Sequence, residues 1–136
     1  MLHFVKIKYD TKGWYTVITM SLTYMHLSVS NPKNGKKAVQ KRMLVDSGAT
    51  YSVLPKEDLE KLNIKPDTTQ TFVLANGQEI KKPVGEARFS WKDTERTAPV
   101  VFGDKGVSVL GATTLEAMGL ILDPLNRRLM KLPMIL

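Results

Sequence analysis

The chain contains no cysteine. Disulfides and thiolate-held metals are therefore excluded. Histidine is scarce too. His3 and His26 stand on strand-like stretches with no acid at ligand spacing, so no metal is expected. There is neither a Gly-x-x-x-x-Gly-Lys nor a Gly-x-Gly-x-x-Gly loop, which leaves a nucleotide cofactor without support. No Gly-x-Ser-x-Gly elbow surrounds Ser47 or Ser52, which argues against a serine nucleophile. No apolar run is long enough to span a bilayer. The opening Met1-Leu2-His3-Phe4-Val5-Lys6-Ile7-Lys8 alternates apolar and basic residues, unlike the apolar block of a signal peptide. The expectation is a cytoplasmic protein with no membrane partner. Repeats and low-complexity tracts are also lacking.

What is present is a domain-sized chain with unevenly spread charge. At 136 residues, with 43% of them apolar, it can form one well-packed core. The net charge is +7. Eight of the twenty Lys and Arg residues, but one of the thirteen acids, precede Asp46, so all of the excess lies there. Such a segment suits nucleic acid or an acidic partner. No aromatic-rich RNA-binding motif accompanies it. Lys33, Lys36 and Lys37 surround a turn at Asn34-Gly35, so a solvated strand face with a basic turn is the preferred reading.

The stretch Met43-Leu44-Val45-Asp46-Ser47-Gly48-Ala49-Thr50 carries the chemistry. Its apolar run reads as a strand buried on both faces. A carboxylate at the end of such a strand loses hydration and needs compensation. Gly48 lets backbone approach that carboxylate without an intervening Cβ, and Ser47 adds a short donor and acceptor. Asp-Ser-Gly alone is also an ordinary turn tripeptide; its flanks are what separate the two readings. A held, partly desolvated carboxylate is what acid–base catalysis requires.

Val5, Ile7 and Tyr9 share one face of a strand over 4–9, β-branched and aromatic residues predict a second over 14–29 with a bend near Ser21, and a third follows over 38–45. Turns are expected at Asp10–Gly13 and around Pro32 and Asn34-Gly35. A short strand, Tyr51–Leu54, leads to a helix with Pro55 at its first position and Pro66 preventing its continuation. Glu57 and Asp58 suit the positive end of its dipole, and Leu59 and Leu62 form its apolar face. Thr71–Leu74 is a strand, and Ala75-Asn76-Gly77-Gln78 reverses it with positive φ expected at both central residues. Further strands are expected at Glu79–Lys82, Glu86–Trp91 and Arg96–Phe102, broken at Pro83-Val84-Gly85 and around Asp93. A turn at Gly103–Gly106 precedes a buried strand Val107–Leu110, which ends at Gly111. Thr113 and Glu116 have capping-box spacing for a second helix, which Gly119 closes. Leu120–Leu122 and Arg128–Leu132, joined through Pro124 and Asn126, are the last strands. The class is all-β with two short helices.

Leu44-Val45-Asp46-Ser47-Gly48-Ala49-Thr50 resembles the active-site signature of aspartic proteases, apolar-apolar-Asp-(Ser or Thr)-Gly-Ala/Ser-(Ser or Thr). Val109-Leu110-Gly111-Ala112 resembles that family's second element, an apolar-apolar-Gly strand end before a helix. The resemblance is to the retroviral-type, retropepsin-like, single-lobed members and covers about residues 20–132. It implies an acid-protease-like β-barrel that forms an obligate two-fold homodimer. Met20 is a candidate start, so residues 1–19 are expected to be an N-terminal β extension and 20–136 the protease domain.

Carboxylate-driven peptide hydrolysis needs two acids, and the chain has one Asp-(Ser/Thr)-Gly. A two-fold axis would set Asp46 against its own mate. The expected function is therefore an aspartic endopeptidase acting on peptide or protein substrates without a cofactor. Asp46 is its catalytic acid or base. Gly48 and Ala49 would offer N–H groups to the carboxylates, and Ser47, by resemblance, would bond across the dimer axis. Thr50 completes the loop. The hairpin Ala75, Asn76, Gly77 and Gln78, about thirty residues past Asp46, stands where this family carries its flap. Met130–Leu136 would add a strand to the dimer sheet. A dimeric binding or assembly module of the same fold, with little or no hydrolysis, is the alternative.

Overall fold

The structure, a computed structural model, describes residues 2–9, 13–20, 22–123, 125–133 and 135, the first two segments as backbone only. Among the described residues, eleven strands and two helices follow one another: β1 Leu2–Tyr9, β2 Gly13–Met20, β3 Tyr24–Ser30, β4 Ala38–Val45, β5 Ser52–Pro55, α1 Lys56–Lys61, β6 Thr68–Val73, β7 Glu79–Trp91, β8 Thr94–Gly103, β9 Val109–Leu110, α2 Ala112–Ala117, β10 Leu120–Asp123 and β11 Arg128–Lys131. β1 and β2 form a two-stranded antiparallel sheet, as do β10 and β11. The main sheet runs β3-β4-β9-β5-β8-β7-β6, and β3 also pairs with β7, so its ladder returns on itself. Leu27, Val29, Met43, Val45, Phe89, Val100 and Leu110 meet in the core, one face of each strand supplying them. Leu59 and Leu62 of the α1 region, and Leu115 of α2, seal its ends.

Several expected boundaries differ. The strand expected over 14–29 is two strands, with Leu22 and Thr23 between them; Ser21 and residues 10–12 lie outside the described residues. Thr23 is needed there: its carbonyl accepts from Val45 N–H at 2.8 Å. β7 runs unbroken through Pro83-Val84-Gly85. Val84 C=O accepts from Asp67 N–H at 2.9 Å on the β6 side. Neighbouring residues in a strand point opposite ways, so the Pro83 nitrogen faces the β8 side. The β8 ladder begins only at Val84↔Val101, so the proline removes no ladder bond.

Helix ends differ as well. Pro55 is the N-cap of α1 rather than its first residue. The helix ends well before Pro66. Asn63 takes a left-handed φ of 58°. Its N–H donates to Glu60 C=O, and Ile64 N–H donates to Leu59 C=O, each at 2.9 Å. That double closure is a Schellman motif with asparagine in the usual glycine position. α2 has no capping box, because Gly111 is its N-cap. Its early N–H groups are satisfied from outside: Ala112 donates to Ala49 C=O at 2.7 Å and Thr113 to Thr50 C=O at 3.0 Å. Gly119 closes α2 as expected, at φ 67°. β9 is shorter than Val107–Leu110, since Val107 N–H turns back to Asp104 C=O and its side chain is exposed. Beyond β11, Leu132, Pro133 and Ile135 are in no strand, and Pro124, Met134 and Leu136 lie outside the described residues.

Candidate active site

The site begins where β4 runs out. β9 lies parallel to β4, with Leu44 opposite Val109 and Val45 opposite Leu110. Asp46 N–H donates to Leu110 C=O at 3.0 Å, which prolongs this pairing by one residue. The chain then loops over the end of β9 and returns as β5 on its other side, where Val53 pairs with Val109. Residues 46–51 are thus held at the crossing of three strands. Met43 and Val45 are fully buried and Leu44 is half-buried, so β4 buries one face fully and the other in part, short of the burial on both faces that its apolar run implies.

Asp46 itself is half-buried. Gly48 N–H donates to its Oδ1 at 2.9 Å. A Cβ at position 48 would lie 3.2 Å from that oxygen, tighter than ordinary contact, so glycine is what keeps this approach open. Ala49 differs from expectation: its N–H donates to the Asp46 backbone carbonyl at 3.2 Å and not to the carboxylate. It closes a turn and leaves the carboxylate to Gly48. Ser47 and Thr50 are exposed on the same loop.

Gly111 has the more severe constraint. A Cβ there would come within 2.5 Å of the Tyr51 carbonyl carbon and 2.6 Å of its oxygen. Only glycine lets β9 pass this close beneath the loop. Its N–H donates to Ser52 Oγ at 3.0 Å, and that oxygen lies 2.6 Å from Thr114 Oγ1. Both side chains are fully buried. The apolar-apolar-Gly element Val109, Leu110 and Gly111 is therefore joined to the Asp46 loop by backbone and side-chain bonds together. Ser52 and Thr114, which sequence reasoning missed, hold these elements together. Their only signal is a hydroxyl in an otherwise apolar strand and another inside a short helix.

Beside this loop lies a cleft of about 640 Å³. Gly48–Tyr51 form one wall, Phe72, Leu74 and Ile80 of the β6–β7 hairpin another, and Val53 and Val101 the floor. Tyr51 meets Phe72 edge to face, ring centres 6.1 Å apart, which links the Asp46 loop to the hairpin. The hairpin tip departs from the expected Asn-Gly turn. Leu74 N–H donates to Gln78 C=O and Gly77 N–H to Leu74 C=O, both at 2.8 Å. The loop therefore has three residues, Ala75, Asn76 and Gly77. Only Gly77 has positive φ, 83°. This is a type I turn closed by a left-handed glycine. Asn76 serves through its side chain, whose Oδ1 accepts from Gln78 N–H at 2.9 Å. Val73, next to the tip, is 70% exposed.

Several other acids are engaged in ion pairs away from the loop. Asp58 pairs with Lys41 at 2.7 Å, Asp104 with Lys82 at 3.4 Å, and Asp93 with Lys131. The Lys131 ammonium, donating directly, holds the Asp93 carboxyl below the usual range. The Asn126 side chain does the same for Asp123. His26 is exposed on β3. Among the described residues, no group of three or more metal-ligating side chains comes together, and no helix is long and apolar enough to cross a membrane.

The family model for aspartyl proteases matches residues 29–120, a span that includes Asp46, the hairpin and Gly111. Among solved structures, the chain is similar to a retropepsin-like aspartic protease from Rickettsia conorii. The identity is 25% and the TM-score 0.52, over 90% of this chain and 86% of the other. It is also similar in fold to EIAV protease complexed with the inhibitor HBY-793. There the identity is 15% and the TM-score 0.54, over 83% and 95%. No curated protein matches the chain.

Proposed function

The chain belongs to the aspartyl protease family, and on that premise we propose that it hydrolyses internal peptide bonds with a water held between Asp46 and the Asp46 of a second copy. The observation that carries this reading is the single Asp46 carboxylate, fixed by Gly48 N–H at the end of β4, in a loop whose residues 48–51, though not Asp46 itself, line the cleft. One such carboxylate is half of a catalytic pair. Asp58, Asp93 and Asp104 are each paired with a lysine, and the chain has no second Asp-(Ser or Thr)-Gly to supply the other half. A two-fold axis beside the exposed Ser47 and Gly48 supplies the second half. The ladder that returns to β3 is, on this reading, the single-lobed barrel of each subunit.

Two carboxyls a few ångströms apart cannot both ionise, so the pair shares one proton. The ionised member takes a proton from the water as it attacks the peptide carbonyl. The protonated member donates to the carbonyl oxygen, giving a tetrahedral diol. The member that took the water proton then gives it to the departing nitrogen while the other takes a proton from a diol hydroxyl, which breaks the C–N bond, leaves the product acid and resets the pair. The β6–β7 hairpin acts as the flap, with Leu74 and Phe72 closing over an extended substrate. Incubating the full chain with a mixed peptide library at mildly acidic pH tests the proposal. Cleavage by wild type, absent in Asp46→Asn, supports it; equal cleavage by the two, or none by wild type, contradicts it.

A further inference from the structure

A second cavity, of about 580 Å³, opens behind the base of the β6–β7 hairpin. It shares Lys82, Gly103 and Asp104 with the first cleft, so the two are continuous along one wall. Four lysines border it, Lys56, Lys65, Lys81 and Lys82, against two acids, Glu60 and Asp104. Lys56 pairs with Glu60 at 3.7 Å and Lys82 with Asp104 at 3.4 Å. Among the described residues, Lys65 and Lys81 have no acidic partner. Two cations are thus left over at the rim of a cavity whose walls include the buried side chains of Ile64 and Phe102.

The lysines stand on backbone that is held firmly. A Cβ at Gly85 would lie 2.8 Å from the Lys65 carbonyl oxygen, so the 64–66 segment lies directly on β7. Asp67 N–H fixes its far end to Val84. Lys81 lies in the interior of β7, paired with Thr71 of β6. Cations placed on fixed backbone lose less freedom on binding than cations on a loose loop. From these features we propose that the cavity is a docking site for an acidic peptide segment. It would take the carboxylates flanking the scissile region of a substrate whose extended chain leaves the first cleft over Gly103. This use rests on the peptidase reading above; the charge complementarity itself does not.

The test uses the full chain carrying Asp46→Asn, so that binding is read without hydrolysis. One fluorescein-labelled probe is an apolar peptide followed by a run of glutamates; its control carries glutamines instead. Anisotropy should show the glutamate probe binding about tenfold more tightly, a gap that narrows as salt is raised. Lys65→Glu with Lys81→Glu should remove the gap, with an unchanged circular dichroism spectrum and melting temperature excluding misfolding. Equal binding of the two probes, or a gap that survives the double substitution, overturns the proposal. So does tighter binding of an oligothymidylate than of the glutamate probe, which would assign the cations to nucleic acid. Wild-type cleavage without any acidic preference removes the docking site alone. Acidic-probe binding without wild-type cleavage removes the peptidase reading and leaves the docking site.

Discussion

Ser52 and Thr114, 62 residues apart in sequence, share a 2.6 Å hydrogen bond between two fully buried hydroxyls. Ser52→Ala would leave both Thr114 Oγ1 and the Gly111 N–H without this partner, at a cost of about 1–3 kcal/mol. Thr114→Val keeps the shape and should cost less, about 1 kcal/mol, because Ser52 retains Gly111. Combined, the two should destabilise by less than the sum of their separate effects. Urea unfolding of the four proteins measures this directly.

Gly111→Ala would force a methyl within 2.5 Å of the Tyr51 backbone. Backbone cannot swing aside as a side-chain end can, so the expected loss is about 3 kcal/mol. Gly35→Ala is the matched control. Nothing lies within 4 Å of its added Cβ, and its φ is not positive, so stability should stay within about 0.5 kcal/mol of wild type. Thermal melts should separate the two variants clearly.

At the hairpin tip, Gly77 takes the left-handed conformation and Asn76 does not. Gly77→Ala should weaken the turn by about 1–2 kcal/mol and reduce turnover. Asn76→Ala loses one side-chain bond to Gln78 N–H and should do less. Hydrogen exchange over residues 72–80, with and without a peptide-like inhibitor, reads the closure. Equal sensitivity at the two positions would contradict a type I turn with a left-handed glycine.

How much of this was legible beforehand depends on how local the cause is. The β4 strand and its Asp46 are readable because an apolar run, an acid and a glycine within eight residues dictate one another. Gly119 is readable because a helix end wants left-handed backbone. The α2 cap was misread because its N–H groups are satisfied by carbonyls of residues 49 and 50, far away in sequence. Pro83 was misread as a break because proline removes a ladder bond only on one side of a strand, and sequence does not say which side is vacant. Ser52–Thr114 and Tyr51–Phe72 are contacts that only the crossing of β5 over β9 and the return of the hairpin create. The Asn-Gly pair marked the right place for a reversal but the wrong turn type, since two- and three-residue loops use the same residues.

Asp93 and Asp123 make a pH prediction with a definite sign. Donation from Lys131 and from Asn126, respectively, lowers each carboxyl below its ordinary value of 3.8. A lowered carboxyl stabilises the fold fully above that value and loses its contribution as pH falls through the folded one. Asp93→Asn and Asp123→Asn should therefore show a shallower acid-side loss of stability than wild type. Urea midpoints measured down the acid limb test it. Activity, by contrast, should be bell-shaped on the acid side of neutrality, because the shared pair needs one carboxyl protonated and one not.

Mixing subunits tests the shared site most directly. Asp46→Asn, being near-isosteric, should fold and dimerise yet not hydrolyse peptide. When it is mixed with an equal amount of wild type and allowed to exchange, random pairing leaves roughly a quarter of the dimers with two carboxylates. Activity should then fall to about half of that given by the same wild-type protein alone. Dilution of wild type below its dimer dissociation constant should likewise reduce specific activity. Activity that stays proportional to wild-type protein in the exchanged mixture would show that one chain holds a complete site, and would falsify the two-copy account.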